Sequence, residues 1–425
     1  MSVKRKLQLE CVGCQTTYET PQLHCNLCAG LLRSRYALTD FQPTDRTNLF
    51  AFQDWLPPIG SSDLPIGTRI IRSDRFAREL GLRNLSIAFS GYAPEIGAGN
   101  PTGSFKDFEA TPTVLYYREH KIESLVLASA GNTARAFAYA SVQNEFPVII
   151  VIPEGAVERL WIPCKPTDAV RLVVLEDCDD YATAIQIAGL IGHVVGVANE
   201  GGARNVARRD GMSTAMLEYA KQVRELPAHY FQAIGSGTGA IATWEASERL
   251  LVAGIGTRLP QLHLSQNAPF TPVHNAWTFD QSIEPDMGVA RQLQQIGQID
   301  ALVLANRTPP YAIPGGVHDA LAATAGSTYA VTNGEARAAA AMFTKAENLS
   351  IGPAAAVATA SLIQAAAGGR VGVDDPILLH ITGNNDLLLK RDFPLHKIPP
   401  VWHVRPEDVT EASIRDNCGR LVDSR

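Results

Sequence analysis

The chain has 425 residues, 46% of them hydrophobic and 19% charged, with a formal net charge of −6. That length exceeds one compact core, so two large lobes with a small appendage are expected, and the ordinary apolar fraction excludes a disordered chain. The mild negative charge gives no pull toward nucleic acid or an anionic membrane, and no run approaches the about 18–20 apolar residues of a membrane span.

The N-terminus is basic but reaches cysteines and polar residues before a signal-like apolar core develops, so a soluble cytoplasmic protein is expected. Four of the seven cysteines lie within the first 28 residues. Cys11-x2-Cys14 and Cys25-x2-Cys28 are two knuckles that can give four thiolates tetrahedral geometry around zinc, closing a small β-ribbon. Such zinc would be structural, because four thiolates leave no open position for chemistry. Cysteines without metal, or a redox pair, would carry the same spacing.

A Pro/Gly-rich passage at Asp54–Gly60 leads into a body in which strands alternate with helices. The expected elements are a strand at Leu85–Phe89, a helix at Ser104–Glu119, a strand at Ser124–Ser129, a helix at Ala134–Asn144 and strands at Val148–Ile152 and Val170–Leu175. A helix at Tyr181–Ile191, a strand at His193–Ala198, a helix at Met212–Val223, a strand at His229–Ile234 and a helix at Ile241–Leu251 follow. Beyond them come a strand near Leu262–Ser265, the segment Ala301–Ala305, helices at Glu335–Ala346 and Ala354–Ala367, and a strand at Ile377–Thr382. Short apolar strands interleaved with helices indicate an α/β fold with parallel sheets covered on both faces.

Ligands in such sheets bind beyond the carboxyl ends of strands, and three junctions there carry unusual chemistry. In GNPTGSFKD (99–107), Ser104 suits a helix N-cap and Asp107 and Glu109 suit the first turn. Lys106 opposes the helix macrodipole, which favours the neutral amine that a Schiff-base nucleophile requires. A solvated lysine balanced by its acidic neighbours accounts for the same residues. Ser129-Ala130-Gly131-Asn132-Thr133, at the start of the next helix, offers amides and side-chain donors to an anion, or simple capping.

The third junction, Gly235-Ser236-Gly237-Thr238-Gly239-Ala240, could cradle a phosphate through amides and two hydroxyls. It formally fits a dinucleotide fingerprint, but the next strand ends in Gln266-Asn267 without the carboxylate that a ribose requires. A monophosphate is the better guest. An imine-forming lysine, an anion loop and a phosphate cup together suggest pyridoxal phosphate.

GNPTGSFKD and SAGNTARA (129–136) resemble the lysine and asparagine motifs of threonine synthases, and GSGTG (235–239) resembles the phosphate loop of fold-type II pyridoxal phosphate enzymes. FSGYAPE (89–95), EGGARNVARRDGM (200–212), HYFQAIGSGTGAIATWEAS (229–247), QNAPFTPVHNAW (266–277) and NRTPPY (306–311) bring the chain closer to the cysteate synthases of the same family. The four-cysteine start is similar to the ribbon of archaeal-type threonine synthases. The resemblance implies a tryptophan-synthase-β-like fold: a ribbon at 1–45, a large cofactor-binding domain at 46–110 and 200–405, a small mobile domain at 111–199, a tail at 406–425 and a homodimer.

The same resemblance implies that Lys106 holds the cofactor covalently, Asn132 meets its phenolic oxygen, Gly235, Ser236, Gly237, Thr238 and Gly239 bind its phosphate, and Thr382 meets its pyridine nitrogen. Ser104 and the loop Ser129, Ala130, Gly131, Asn132 and Thr133 would hold a substrate, its carboxylate on that loop, with Arg204, Asn205 and Arg208 toward a phosphate or sulfonate. The implied reaction is β-replacement, O-phospho-L-serine and sulfite giving L-cysteate and phosphate. Two departures bear on substrate choice. Gly202-Ala203 replaces the asparagine-serine pair of threonine synthases, and Ser213 stands where they carry a lysine. The lysine loop itself looks more like theirs. Threonine synthesis from phosphohomoserine, replacement with another sulfur or amine nucleophile, and a catalytically silent binding protein are the alternatives.

Overall fold

The computed structural model describes residues 7–19, 21–129, 131–178, 180–283 and 288–422. Two sheets organise the body. The larger has six strands in the order Ser327–Val331, Gln261–Asn267, His229–Ala233, Ile377–Ile381, Leu85–Phe89 and Arg69–Ser73. All neighbours in it are parallel except the last pair. The smaller is wholly parallel, in the order Ala198–Asn199, Leu125–Ala128, Val148–Pro153, Val170–Leu175 and Pro400–Val404.

Strands such as Val148–Pro153 and Ile377–Ile381 are buried at every position, as expected where helices cover both faces of a sheet. The helix Pro353–Ala367 packs on the larger sheet through Ala355, Ala356, Ala358 and Ala360, whose small side chains let two backbones approach closely.

The first 36 residues include a three-stranded antiparallel ribbon in which Leu7–Cys11 lies between Thr17–Tyr18 and Leu32–Tyr36. Two expectations are corrected. Half of the expected strand His193–Ala198 instead continues the helix Tyr181–Val195, which stops at Gly196 with φ of +72° before the short strand Ala198–Asn199. The C-terminal stretch expected in the large domain and tail instead returns to the smaller sheet. Pro400–Val404 pairs with Val170–Leu175, and Ile414 and Leu421 are buried in the cluster beneath it. Among the described residues no helix is long and apolar enough to cross a membrane.

Candidate active site

The three junctions all lie at carboxyl ends of strands. The lysine helix runs Asp107–Glu119, with Lys106 at its N-cap in helical conformation. The lysine loop is stitched to the end of the strand Ile377–Ile381: Phe105 N donates to Thr382 O at 2.9 Å, and Asn384 N donates to Gly103 O at 3.1 Å. Thr382 is buried beside it. Ser104, also buried, bridges to Gly383.

The helix Thr238–Val252 begins inside the glycine run, so Thr238 and Gly239 supply first-turn amides. The cup is tightly buttressed. A Cβ on Gly237 would stand 2.3 Å from Val317 Cγ2, and one on Gly239 would stand 2.4 Å from Gln232 Nε2. Ser236 Oγ and Thr238 Oγ1 are 2.8 Å apart, and Gly235 faces the backbone of Leu304. Only glycine leaves these amides open, and the resulting hydroxyl-lined cradle fits a phosphate.

The asparagine helix, Asn132–Asn144, starts at the end of Leu125–Ala128. Ser129 Oγ accepts from Ala134 N at 3.2 Å, and Asn132 Oδ1 accepts from Arg135 Nη1 at 3.4 Å. Gly131 faces Val303, next to the Leu304 that backs Gly235, so one short turn touches both loops. Ala130 lies outside the described residues.

Sequence reasoning named Glu109 and Arg208 but not their meeting at Lys106, and it missed Glu200 and Tyr181. Glu109 is fully buried, and its Oε2 lies 3.3 Å from Lys106 Nζ and 2.9 Å from Arg208 Nε. Arg208 Nη1 reaches Glu200 Oε2 at 2.8 Å, and Nη2 donates to Thr133 Oγ1 at 3.5 Å. Tyr181, whose hydroxyl donates to Ala128 O at 2.8 Å, faces the same group and is pushed up to about 12 by burial. Burial pulls the Lys106 amine below its ordinary range, and the Glu109 carboxylate works against that. Burial also penalises the Arg208 guanidinium, but Glu109 and Glu200 outweigh it and hold the charge.

Asn205 is spent on structure. Its Oδ1 caps the helix Val206–Val223 at Ala207 N and Arg208 N, and its Nδ2 donates to Glu200 O at 2.9 Å. Arg204 is half-buried beside His24 of the ribbon, whose imidazole is pulled down by burial and then by that guanidinium. Lys106, Thr133 and Arg208 thus form one connected group, and Arg204 faces the ribbon.

A buried polar column joins the lysine to the cup. Phe105 meets His380 edge-on at 5.4 Å, His380 Nδ1 pairs with Tyr230 OH at 2.7 Å, and that hydroxyl donates to Gln232, which backs Gly239. An amine, a phosphate cradle and an amide loop on one rim suit pyridoxal phosphate. The profile of the family described as pyridoxal-phosphate dependent enzyme matches residues 62–383.

The chain belongs to that family. It is a cysteate-synthase-like enzyme that depends on pyridoxal phosphate and acts on small molecules. It is 45% identical to cysteate synthase of Methanocella paludicola, over 94% of this chain and 95% of that protein. With cysteate synthase of Methanosarcina barkeri it shares 43% identity, over 95% and 98%. The fold is also that of the processed form of threonine deaminase isoform 2 from Solanum lycopersicum, with a TM-score of 0.60 at 14% identity, covering 84% of this chain and 97% of that one. Maize serine racemase is similar in fold, with a TM-score of 0.56 at 14% identity over 76% and 90%.

In the ribbon, the four cysteine sulfurs lie within 4.8 Å of one another, with Cys11–Cys28 at 3.3 Å and Cys14–Cys25 at 3.4 Å. Zinc–sulfur bonds of about 2.3 Å in a tetrahedron place sulfurs roughly 3.8 Å apart, so the cluster fits such an ion.

Proposed function

We propose that the enzyme replaces the phosphate of O-phospho-L-serine with sulfite, giving L-cysteate and inorganic phosphate. The observation that carries this reading is the Lys106–Glu109–Arg208–Thr133 group, which sets a proton-transferring amine and a fixed guanidinium on one rim. The likeness to cysteate synthases across nearly the whole chain supports it. Bound pyridoxal phosphate supplies the electron sink that acidifies the substrate Cα–H and lets a group depart from Cβ.

Lys106 would hold the cofactor, with Asn132 toward its phenolic oxygen, residues 235–239 around its phosphate and Thr382 at the pyridine nitrogen. Once displaced by the substrate amine, Lys106 takes the Cα proton and later returns it. Ser129, Thr133 and the amides of that loop hold the substrate carboxylate, with Ser104 close by. Arg208, kept charged by two carboxylates, receives the departing phosphate and then sulfite, whereas Arg204, turned toward the ribbon, takes no part in that contact. Asn205 serves by fixing Glu200 and the start of the arginine helix. The Arg307–Asp180 ion pair, with N–O distances of 3.2 and 3.0 Å, spans the two lobes and suits a small lobe that closes and excludes water. A homodimer is the proposed assembly, and structural zinc the proposed occupant of the ribbon.

A product screen by mass spectrometry tests the reaction. Phosphoserine or phosphohomoserine is offered with sulfite, sulfide or water. Cysteate from phosphoserine and sulfite is expected. Threonine from phosphohomoserine at a comparable rate would overturn the reading.

A further inference from the structure

The acidic residue three positions after the lysine reads in sequence as a dipole partner of its helix. Its surroundings say more. Glu109 has no solvent exposure, and its Oε2 contacts both Lys106 Nζ and Arg208 Nε, whereas its Oε1 is buried with no hydrogen-bond partner among the described residues. An orphaned buried carboxylate oxygen forfeits its hydration without compensation, which a purely structural residue has no reason to retain.

We propose that Glu109 is a catalytic residue, the proton acceptor that converts the Lys106 ammonium to the nucleophilic amine and returns the proton when Lys106 is released. In the forward step one N–H bond of Lys106 breaks and its electron pair stays on nitrogen. The proton forms an O–H bond on the Glu109 carboxylate. No oxidant or further reactant enters.

Electrostatics favours this route over loss of the proton to water. Glu109 faces Lys106 and Asp107 on its own helix turn, Arg208 and its partner Glu200 from the arginine helix and the loop before it, and Tyr181 from the small lobe. Lys106 and Arg208 balance Glu109 and Glu200. Transfer within the Lys106–Glu109 pair neutralises both partners together and leaves the Arg208–Glu200 pair balanced. Release of the proton to solvent would strand an additional buried negative charge, which a low-dielectric site penalises heavily.

The test follows capture of added pyridoxal phosphate by cofactor-free enzyme, read by stopped-flow absorbance across pH. It rests on the family's cofactor and not on phosphoserine or sulfite, so either reading can fail alone. In Glu109→Gln the maximal capture rate is expected to fall about a hundredfold, the scale of a lost general base. If Glu109 is only a counter-ion, its removal eases deprotonation of Lys106. The profile then moves to lower pH with its maximum kept, and that result overturns the proposal. Should Glu109→Gln fail to fold, Glu109→Met, neutral and of similar volume, is read in the same way: a maximal rate lowered about a hundredfold is expected, and a profile displaced to lower pH at full rate again overturns the proposal.

Discussion

The wholly buried guanidinium of Arg209 donates to the main-chain carbonyl of Leu32, tying the helix that carries Arg208 to the last strand of the cysteine ribbon. Its Nε also meets Glu245 at 3.0 Å, and the neighbouring Asp210 accepts from Ser34 and Tyr36 of that strand. Elsewhere Leu31 N donates to Pro314 O at 2.9 Å, close to the Val317 that presses on Gly237 of the cup. Leu23, between the knuckles, packs on Gly201 at the start of the arginine segment. The ribbon therefore buttresses both the glycine cup and the helix that carries Arg208.

Metal removal should be felt at the cofactor. A chelator, with thiols kept reduced, is expected to lower the melting temperature and weaken pyridoxal phosphate binding measured by fluorescence titration. Arg209→Ala leaves Glu245 without its buried partner and should cost about 3–5 kcal/mol in denaturant unfolding. A melting temperature indifferent to proven loss of metal would sink the coupling.

Gly237 has φ of +75° and Val317 Cγ2 where a side chain would go. Gly237→Ala combines a left-handed penalty of about 1–2 kcal/mol with a contact the buried valine cannot yield, so cofactor affinity should fall about tenfold or more. Gly189, inside the helix Tyr181–Val195, has open space where a Cβ would stand. Gly189→Ala should instead leave cofactor binding unchanged and raise stability by roughly 0.5–1 kcal/mol. Equal losses in both variants would deny the cup its special role.

What the sequence revealed follows from how local each signal is. The lysine, asparagine and glycine junctions declare themselves because turn and cap chemistry is written in neighbouring residues. Glu109 and Glu200 did not, because their significance comes from burial against a helix about a hundred residues away from Glu109. Adjacent in sequence, Arg208 faces Lys106 and Arg209 the ribbon, a distinction set by helical phase from the Asn205 cap. The return of Pro400–Val404 to the smaller sheet is a pairing across more than two hundred residues, and no local pattern encodes it.

Arg135 is expected to orient Asn132. Its guanidinium is anchored by donation to Arg159 O at 2.7 Å and by stacking 4.1 Å from the Trp161 ring centre. Donation to Asn132 Oδ1 fixes that oxygen toward Arg135 and leaves the amide NH2 as the donor available to the cofactor. Arg135→Gln should weaken pyridoxal phosphate binding several-fold and shift the absorbance of the bound cofactor. An unchanged spectrum and affinity would mean that Asn132 is oriented by other means.

Acid should loosen the fold through its buried imidazoles. Burial pulls His380, paired with Ser90 and Tyr230, and His263, paired with His229 and Tyr329, down to about 3. Both lie below the ordinary value of 6.5, so the unfolded chain binds more protons between those limits. Their contribution is full above about pH 6.5 and is lost as pH falls toward 3, about 2 kcal/mol for each by pH 5. Asp107 acts oppositely. Burial pushes it up to about 7 despite hydrogen bonds from Thr102, so protonation below pH 7 favours the native state and offsets about one histidine. Comparing variant with wild type removes that offset. Between pH 7 and pH 5, His380→Asn should lose about 2 kcal/mol less stability in urea unfolding than the parent. A variant that loses as much would show that His380 does not govern the acid sensitivity.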